Sequence, residues 1–257
     1  MPFYTKSYPS ILLYFFCLVL FLTGFSSKIQ AQEQWQTLSP GIEYQDLEGG
    51  ILNPWTHVHV FKIDLNKNRL ELISAKSLGL KHASADQFAE QSNALLSING
   101  GFFDKQFTPL GLRISNSKVE NPLKYISWWG VFYIKNNKAH ISSLKNFHYS
   151  QNIQFALQVG PRLLIKRKIP ALKIGHADRS ALGITSDGRL IFLVSTNAAM
   201  TTKELAKRMR GYPLFCVDAI NLDGGSSSQL YAHIKSFILN VHGYSNVSDA
   251  IVVKALS

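Results

Sequence analysis

Apolar residues along this chain fall mostly into short runs. The segments 56–63, 69–75, 131–134, 139–142, 189–195 and 250–254 are rich in Val, Ile, Leu and Phe and are bounded by Asn, Gly, Asp and Lys, so they predict β-strands. Asp-Leu-Asn-Lys-Asn at 64–68 and Lys-Asn-Asn-Lys at 135–138 predict hairpin connections. Residues 229–234 alternate as a further strand would, with Leu230, Ala232 and Ile234 on one face. Helical spacing is rarer but well punctuated. Ser84 with Gln87 stands ahead of Phe88 and Ala89, and Thr201 with Glu204 ahead of Leu205 and Met209; each pair is a capping box, and Gly211 closes the second helix. An apolar strand follows each helix, at 94–98 and at 217–221. The pattern predicts an α+β fold: a single domain of mixed, largely antiparallel β-sheets with a few flanking helices.

The N-terminus breaks this pattern. Lys6, the apolar run 11–25 and then Ser26, Ser27, Lys28, Ile29, Gln30 and Ala31 read as a signal peptide, because a core of about fifteen residues is short for a membrane span. Cleavage is expected after Ala31, which leaves 32–257 as the folded domain, exported to the periplasm or beyond and without a stable membrane span. Cys17 has no lipobox before it and is lost with the leader, so Cys216 stands alone and no intrachain disulfide can form. Its apolar neighbours at 214–220 predict a buried, inert thiol. No linker or low-complexity tract interrupts the rest, and the apolar share of 46% is that of a globular chain. The net charge of +11 favours anionic partners. Basic residues are dispersed apart from 166–168 and 207–210, and an exported protein seldom meets nucleic acid, so anionic glycans or sugar phosphates are the expected partners. Nothing in the sequence fixes an oligomeric state.

Candidate chemistry gathers where the two helix-strand units end. One runs into Asn99-Gly100-Gly101-Phe102-Phe103-Asp104, the other into Asn221-Leu222-Asp223-Gly224-Gly225-Ser226. Paired glycines either turn a hairpin or let successive backbone N–H groups line a concavity that holds an anion. The two strand ends are expected to converge on one edge of a sheet, where a ligand site would form. Arg179 precedes a small apolar run, and is either paired with Asp178 or aimed at a ligand phosphate or carboxylate. Ser226, Ser227 and Ser228 do not make a nucleophile elbow, since position 228 is not glycine, and are expected to serve as hydrogen-bonding groups. His57 and His59 project from the same face of their strand, but no third ligand is spaced to complete a zinc site, so no metal is expected.

Taken in order, these elements resemble the phosphodiester glycosidase family. Asn99 to Asp104 is similar to the family's Asn-Gly-Gly-aromatic-aromatic-Asp turn and is followed by Pro109-Leu110-Gly111; Gly160-Pro-Arg-Leu-Leu164 also fits. Asp178-Arg-Ser-Ala-Leu-Gly-Ile184 resembles an Arg-x-Ala-x-Gly element, and a strand with Thr196 and Asn197 near its end comes next. Ala219-Ile-Asn-Leu-Asp-Gly-Gly-Ser-Ser227 is similar to the family's most specific signature, and Ser248-Asp-Ala-Ile-Val-Val253 to its closing strand. The resemblance spans about His57 to Lys254 and departs at Ser226, where the family often has a third glycine.

It implies hydrolysis of the bond between a sugar's anomeric carbon and a phosphodiester, in an envelope glycan or glycoconjugate, with no cofactor. Asp223, or else Asp104, is then the nucleophile or base, and Arg179 with the Gly100-Gly101 or Gly224-Gly225 backbone holds the phosphate. Asn99, Asn221, Thr196, Ser226 and Ser227 would contact sugar or phosphate oxygens, and Phe102 or Phe103 would stack on the ring. The alternative from another class is a non-catalytic exopolysaccharide or cell-wall binding protein, gripping by charge and aromatics.

Overall fold

The computed structural model describes residues 1–3, 35–50 and 53–256, and its compact unit begins at Trp35. The leader expected over 1–31 lies outside the described residues but for the first three. No described helix is long and apolar enough to cross a membrane.

Three antiparallel sheets make up the fold. The largest has seven strands, in the order β1 (Gln36–Ser39), β2 (Ile42–Asp46), β3 (His57–Ile63), β13 (Leu190–Thr196), β12 (Ser180–Thr185), β14 (Cys216–Asn221) and β11 (Arg162–Leu164). A five-stranded sheet runs β7 (Lys118–Asn121), β6 (Arg113–Ser115), β10 (Ile153–Val159), β8 (Gly130–Lys135) and β9 (Lys138–Ser143). The third runs β16 (Phe237–Val241), β15 (Leu230–Ile234), β5 (Leu96–Asn99), β17 (Asp249–Ala255) and β4 (Asn68–Ser74). Two α-helices are described, α1 (Ala85–Ser92) and α2 (Thr202–Arg210), both opened by the expected capping boxes.

The sheets share one core. Ile42, Phe61 and Ile63 of the first, Phe132, Phe155 and Leu157 of the second, and Leu72, Ile98 and Ile251 of the third lie in a single buried cluster. The first and third sheets are covered on their other faces as well. Val58, Val60, Ile191 and Leu193 pack with Leu205, Ala206 and Met209 of α2, while Ala250 and Val252 pack with Phe88 of α1. Burial on both faces explains why Leu190 to Val194 is continuously apolar rather than alternating: Leu190, Phe192 and Val194 enter the shared core and Ile191 and Leu193 face the helix. Cys216 is fully buried in that helix-facing layer, which pushes its thiol well above the ordinary range.

Two expected connections differ in kind. Asn136 and Asn137 hold φ of 50° and 59° between the paired strands β8 and β9, a two-residue hairpin turn that asparagine tolerates. The 64–68 segment is a corner instead of a hairpin. β3 pairs with β2 and β13 in one sheet, and β4 pairs with β17 in another. The side chain and carbonyl of Asp64 close this corner, accepting hydrogen bonds from Asn66 N at 2.9 Å and Asn68 N at 3.0 Å. The two Gly-Gly turns likewise leave different sheets, β5 in the third and β14 in the first, so they meet across the gap between sheets and not along one edge.

Candidate active site

At that gap the chain ends are stitched together. Asp223 N donates to Gly100 O at 3.2 Å, and Asn99 Nδ2 to Asp223 O at 2.8 Å. Asn99 is fully buried; its Oδ1 accepts from Ser180 Oγ at 2.7 Å and Gln229 N at 3.2 Å, so one side chain ties strands of two sheets to the backbone of Asp223. Asn99 thus holds the Asp223 backbone in place and is not among the residues lining the cavity beside the second turn.

Behind the first turn lies a buried ion pair that the sequence pattern did not reveal. Arg113 Nε stands 3.0 Å from Asp249 Oδ2, with both side chains at 2% exposure or less. The Arg113 guanidinium also donates to the carbonyls of Phe102, Leu110, Leu112 and Gln158, so its charge is satisfied on every side. Gly100 and Gly101 are glycines because of this pair. A Cβ on Gly100 would fall 1.8 Å from Asp249 Oδ1, and one on Gly101 would fall 2.5 Å from Arg113 Nη2. Their N–H groups are used here too, Gly100 N donating to Asp249 O at 2.9 Å and Gly101 N to Asp249 Oδ1 at 3.1 Å.

The second turn faces a cavity of about 530 Å³ lined by Asp223, Gly224, Gly225, Asn221 and Arg179, with Phe102, Trp128 and Lys173. Its amides are also committed, Gly224 N to Asp223 Oδ1 at 3.0 Å and Gly225 N to Asp178 O at 2.8 Å. The glycine amides of both turns therefore hold the protein together and form no open anion nest. Gly225 has φ of +62°, a conformation glycine adopts without strain.

Asp223 is the one carboxyl lining this cavity, and it is half-buried. Burial raises it to about 6; Ser227 and the Gly224 amide oppose the shift by hydrogen bonding, Asp249 adds to it and Arg113 counters. Arg179 Nη1 stands 3.9 Å from where a Cβ on Gly224, the residue after Asp223, would lie. Among the described residues no carboxylate lies within 4.0 Å of Arg179. Its Nε donates to Met200 O at 2.8 Å, Nη2 donates to Gly175 O, and Nη1 has no partner among the described residues. Asp178 does not pair with it; that carboxylate accepts from Ala198 N at 3.0 Å. Burial also lowers the pKa of Arg179. An unpaired guanidinium tip at the wall of a cavity is suited to an anionic ligand.

The remaining expected residues divide. Asn221 is buried at the cavity, with Oδ1 unpartnered and Nδ2 donating to Leu222 O. Phe102 lines the cavity and packs on Trp129, ring centroids 5.1 Å apart. Phe103 turns away and stacks on Phe107 at 5.2 Å. Asp104 lies outside the cavity and caps its own turn, accepting from Gln106 N at 2.9 Å and Thr108 N at 2.8 Å. Thr196 ends β13 opposite His57, away from the cavity lining. Ser226 is exposed, with Oγ 3.3 Å from Ser245 Oγ, whereas Ser227 is buried beneath Asp223. Trp128 and Lys173 were not singled out by the sequence; they reach the cavity from loops with no motif of their own, and Lys173 Nζ sits 6.0 Å from the Trp128 ring.

A second cavity of about 520 Å³ is lined by Glu48, Thr56, His176, Glu204 and Arg208. Its acids already have partners, Glu48 in an ion pair with Arg208 and exposed Glu204 in the Thr201 cap.

Comparison with known proteins bears on the family and the fold. Residues 92–254 match the phosphodiester glycosidase family. An uncharacterized Escherichia coli K12 protein, YigE, is 28% identical over 162 residues, which span 57% of this chain and 64% of that protein, less than two thirds of its length. Among solved structures, the catalytic domain of zebrafish N-acetylglucosamine-1-phosphodiester alpha-N-acetylglucosaminidase, auto-inhibited by its pro-peptide, superposes with a TM-score of 0.64 at 18% identity, covering 85% of each chain. A hypothetical protein from Synechocystis gives 0.61 at 16% identity, over 86% of this chain and 63% of the other. With the family match covering more than half of the sequence, the chain belongs to the phosphodiester glycosidase family.

Proposed function

We propose that this chain is an exported hydrolase that cleaves the bond between a sugar's anomeric carbon and a phosphodiester, with Asp223 as the catalytic carboxylate. The observation that carries this reading is the cavity itself: it is lined both by a carboxyl that desolvation raises to about 6 and by Arg179, which has no carboxylate within 4.0 Å among the described residues. Family membership supports the reaction class, and the leader-like N-terminus together with the +11 charge supports export and an anionic substrate.

The chemistry follows from the leaving group. Breaking the C1–O bond expels a phosphate monoester, whose second pKa of about 6 makes it a good leaving group without a strong general acid. The reaction needs a cation to receive charge on the departing oxygen and a carboxylate at the anomeric carbon, where positive charge develops. Arg179 Nη1 supplies the first and Lys173 adds positive charge at the same cavity. Ionised Asp223 supplies the second, attacking C1 or taking a proton from the water that does. Trp128, exposed at 52%, offers an indole surface to a sugar ring.

A sugar 1-phosphodiester hydrolysed in oxygen-18 water tests the reading. Label is expected in the sugar, and Asp223→Asn and Arg179→Ala are each expected to lower kcat by about a hundredfold or more. Label in the phosphate would instead mean P–O cleavage. Binding of envelope polymers without turnover would mean a binding protein, and near-normal turnover in both variants would remove the mechanism.

A further inference from the structure

Away from the cavity, metal-ligating side chains converge on two neighbouring strands. Register places Asp46 of β2 opposite His59 of β3, and His57 projects from the same face two residues earlier. One donor atom from each of the three lies within 4.8 Å of the others. Asp46 is the third ligand that spacing alone did not reveal, because it is brought in by strand pairing.

Its carboxylate is held in place. Oδ1 accepts from the amides of Glu48 at 3.2 Å, Gly49 at 3.2 Å and Val58 at 3.1 Å. Oδ2 is left facing the imidazoles, 2.6 Å from His57 Nδ1 and 3.8 Å from His59 Nδ1. His57 Nε2 lies 3.0 Å from Pro54 O, a contact that requires an N–H on that nitrogen. In the neutral ring Nδ1 is then a lone pair, and it faces a carboxylate oxygen at 2.6 Å. Two acceptors at this distance require a cation between them. A proton serves the Asp46 and His57 pair but gives His59 no part, whereas a metal ion engages all three.

We propose that Asp46, His57 and His59 bind one divalent transition-metal ion of the zinc type. Donors around a tetrahedral zinc ion stand about 3.3 Å apart, and the observed 2.6 and 3.8 Å bracket that spacing. Two imidazoles and a carboxylate are a donor set that suits zinc. The bond from His57 Nε2 to a backbone carbonyl is the support that fixes the tautomer of metal-binding histidines. The rings are nearly parallel, with centroids 5.1 Å apart, so one must turn to aim both lone pairs at a common point. Tyr44, whose hydroxyl lies 2.8 Å from His59 Nδ1, yields that nitrogen to the ion. A Cβ on Gly49 would sit 2.5 Å from Asp46 Oδ2, so glycine there leaves the carboxylate room. None of the three residues lines the Asp223 cavity, and the site's role is to tie β2 to β3 where the strands part.

The test is titration of the full chain, stripped with a chelator, with zinc chloride, read by calorimetry, metal content and thermal melting. The expected result is one zinc per chain and a raised Tm, with affinity at least about tenfold weaker in Asp46→Asn and in His59→Gln and unchanged in His176→Gln. Cobalt in place of zinc is expected to give visible ligand-field bands that His57→Gln abolishes. His57 is the more exposed of the two histidines, so its variant carries the test if a substitution at buried His59 fails to fold. A folded wild-type chain that binds no zinc, or binding that persists in all three cluster variants, would overturn the proposal.

Discussion

The turns at 99–104 and 221–226 are written in nearly the same letters, an asparagine near the end of a strand and then paired glycines with an acid close by. Their physics differs. In the first, glycine is required by space, since Asp249 and Arg113 occupy the volume that side chains would fill, and the nearby acid Asp104 caps a solvent-facing turn. In the second, Gly225 is required by its φ of +62°, and the acid Asp223 is half-buried at a cavity, where desolvation raises its pKa to about 6. One turn is a clamp on a buried ion pair and the other presents a carboxylate. Similar motifs thus divide structure from chemistry, and what distinguishes them is the surroundings of the acid.

The clamp breaks most easily. Gly100→Ala must displace Asp249 from Arg113, and is expected to cost about 3 to 5 kcal/mol by chemical denaturation, as loss of a buried partner does. Gly225→Ala meets only an ordinary contact with Ala177 Cβ at 4.0 Å and a strained φ, and is expected to cost about 1 kcal/mol. Equal losses would mean that the two turns carry load alike. The two acids are expected to separate under steady-state kinetics: Asp223→Asn loses about a hundredfold or more in kcat, while Asp104→Asn stays within about threefold. A comparable loss in both would erase the distinction.

The subtler prediction joins stability to pH. Asp223 in the folded chain titrates at about 6, above its value of about 4 in the unfolded chain, so the folded state binds its proton more tightly between those limits. Stability contributed by this group is then present at low pH and lost as pH rises through 6. Asp223→Asn removes the buried charge and is expected to stabilise the protein by about 2 kcal/mol at pH 7.5 and by nothing below pH 4, measured by urea unfolding. A variant that is more stable yet inactive is the signature of a carboxyl held under strain for chemistry.

Much of this was legible in the sequence because local rules decided it. Capping boxes at Ser84 and Thr201, the asparagine turn at 136–137 and the buried face of Leu230, Ala232 and Ile234 needed no tertiary information. Strands β6 and β10 were missed where buried polar residues break the apolar run, as Arg113 and Gln158 do. The strand content of β3 and β4 was readable, but their membership of different sheets was not, since the 64–68 corner has the residues of a hairpin. At the site, Asp223 and Arg179 stood out by motif. The pair Arg113 and Asp249, 136 residues apart, and the third member of the Asp46, His57 and His59 group arise only from strand pairing, for which these sequence patterns held no signal.

The account rests on the desolvation of one carboxyl, Asp223. Carbon-13 NMR titration of Asp-labelled protein, with the Asp223→Asn variant to assign the resonance, measures it directly. A midpoint near 6 for Asp223 is predicted, with the rate of sugar-phosphodiester hydrolysis rising through the same pH. A midpoint near 4, with a rate flat across that range, would contradict it.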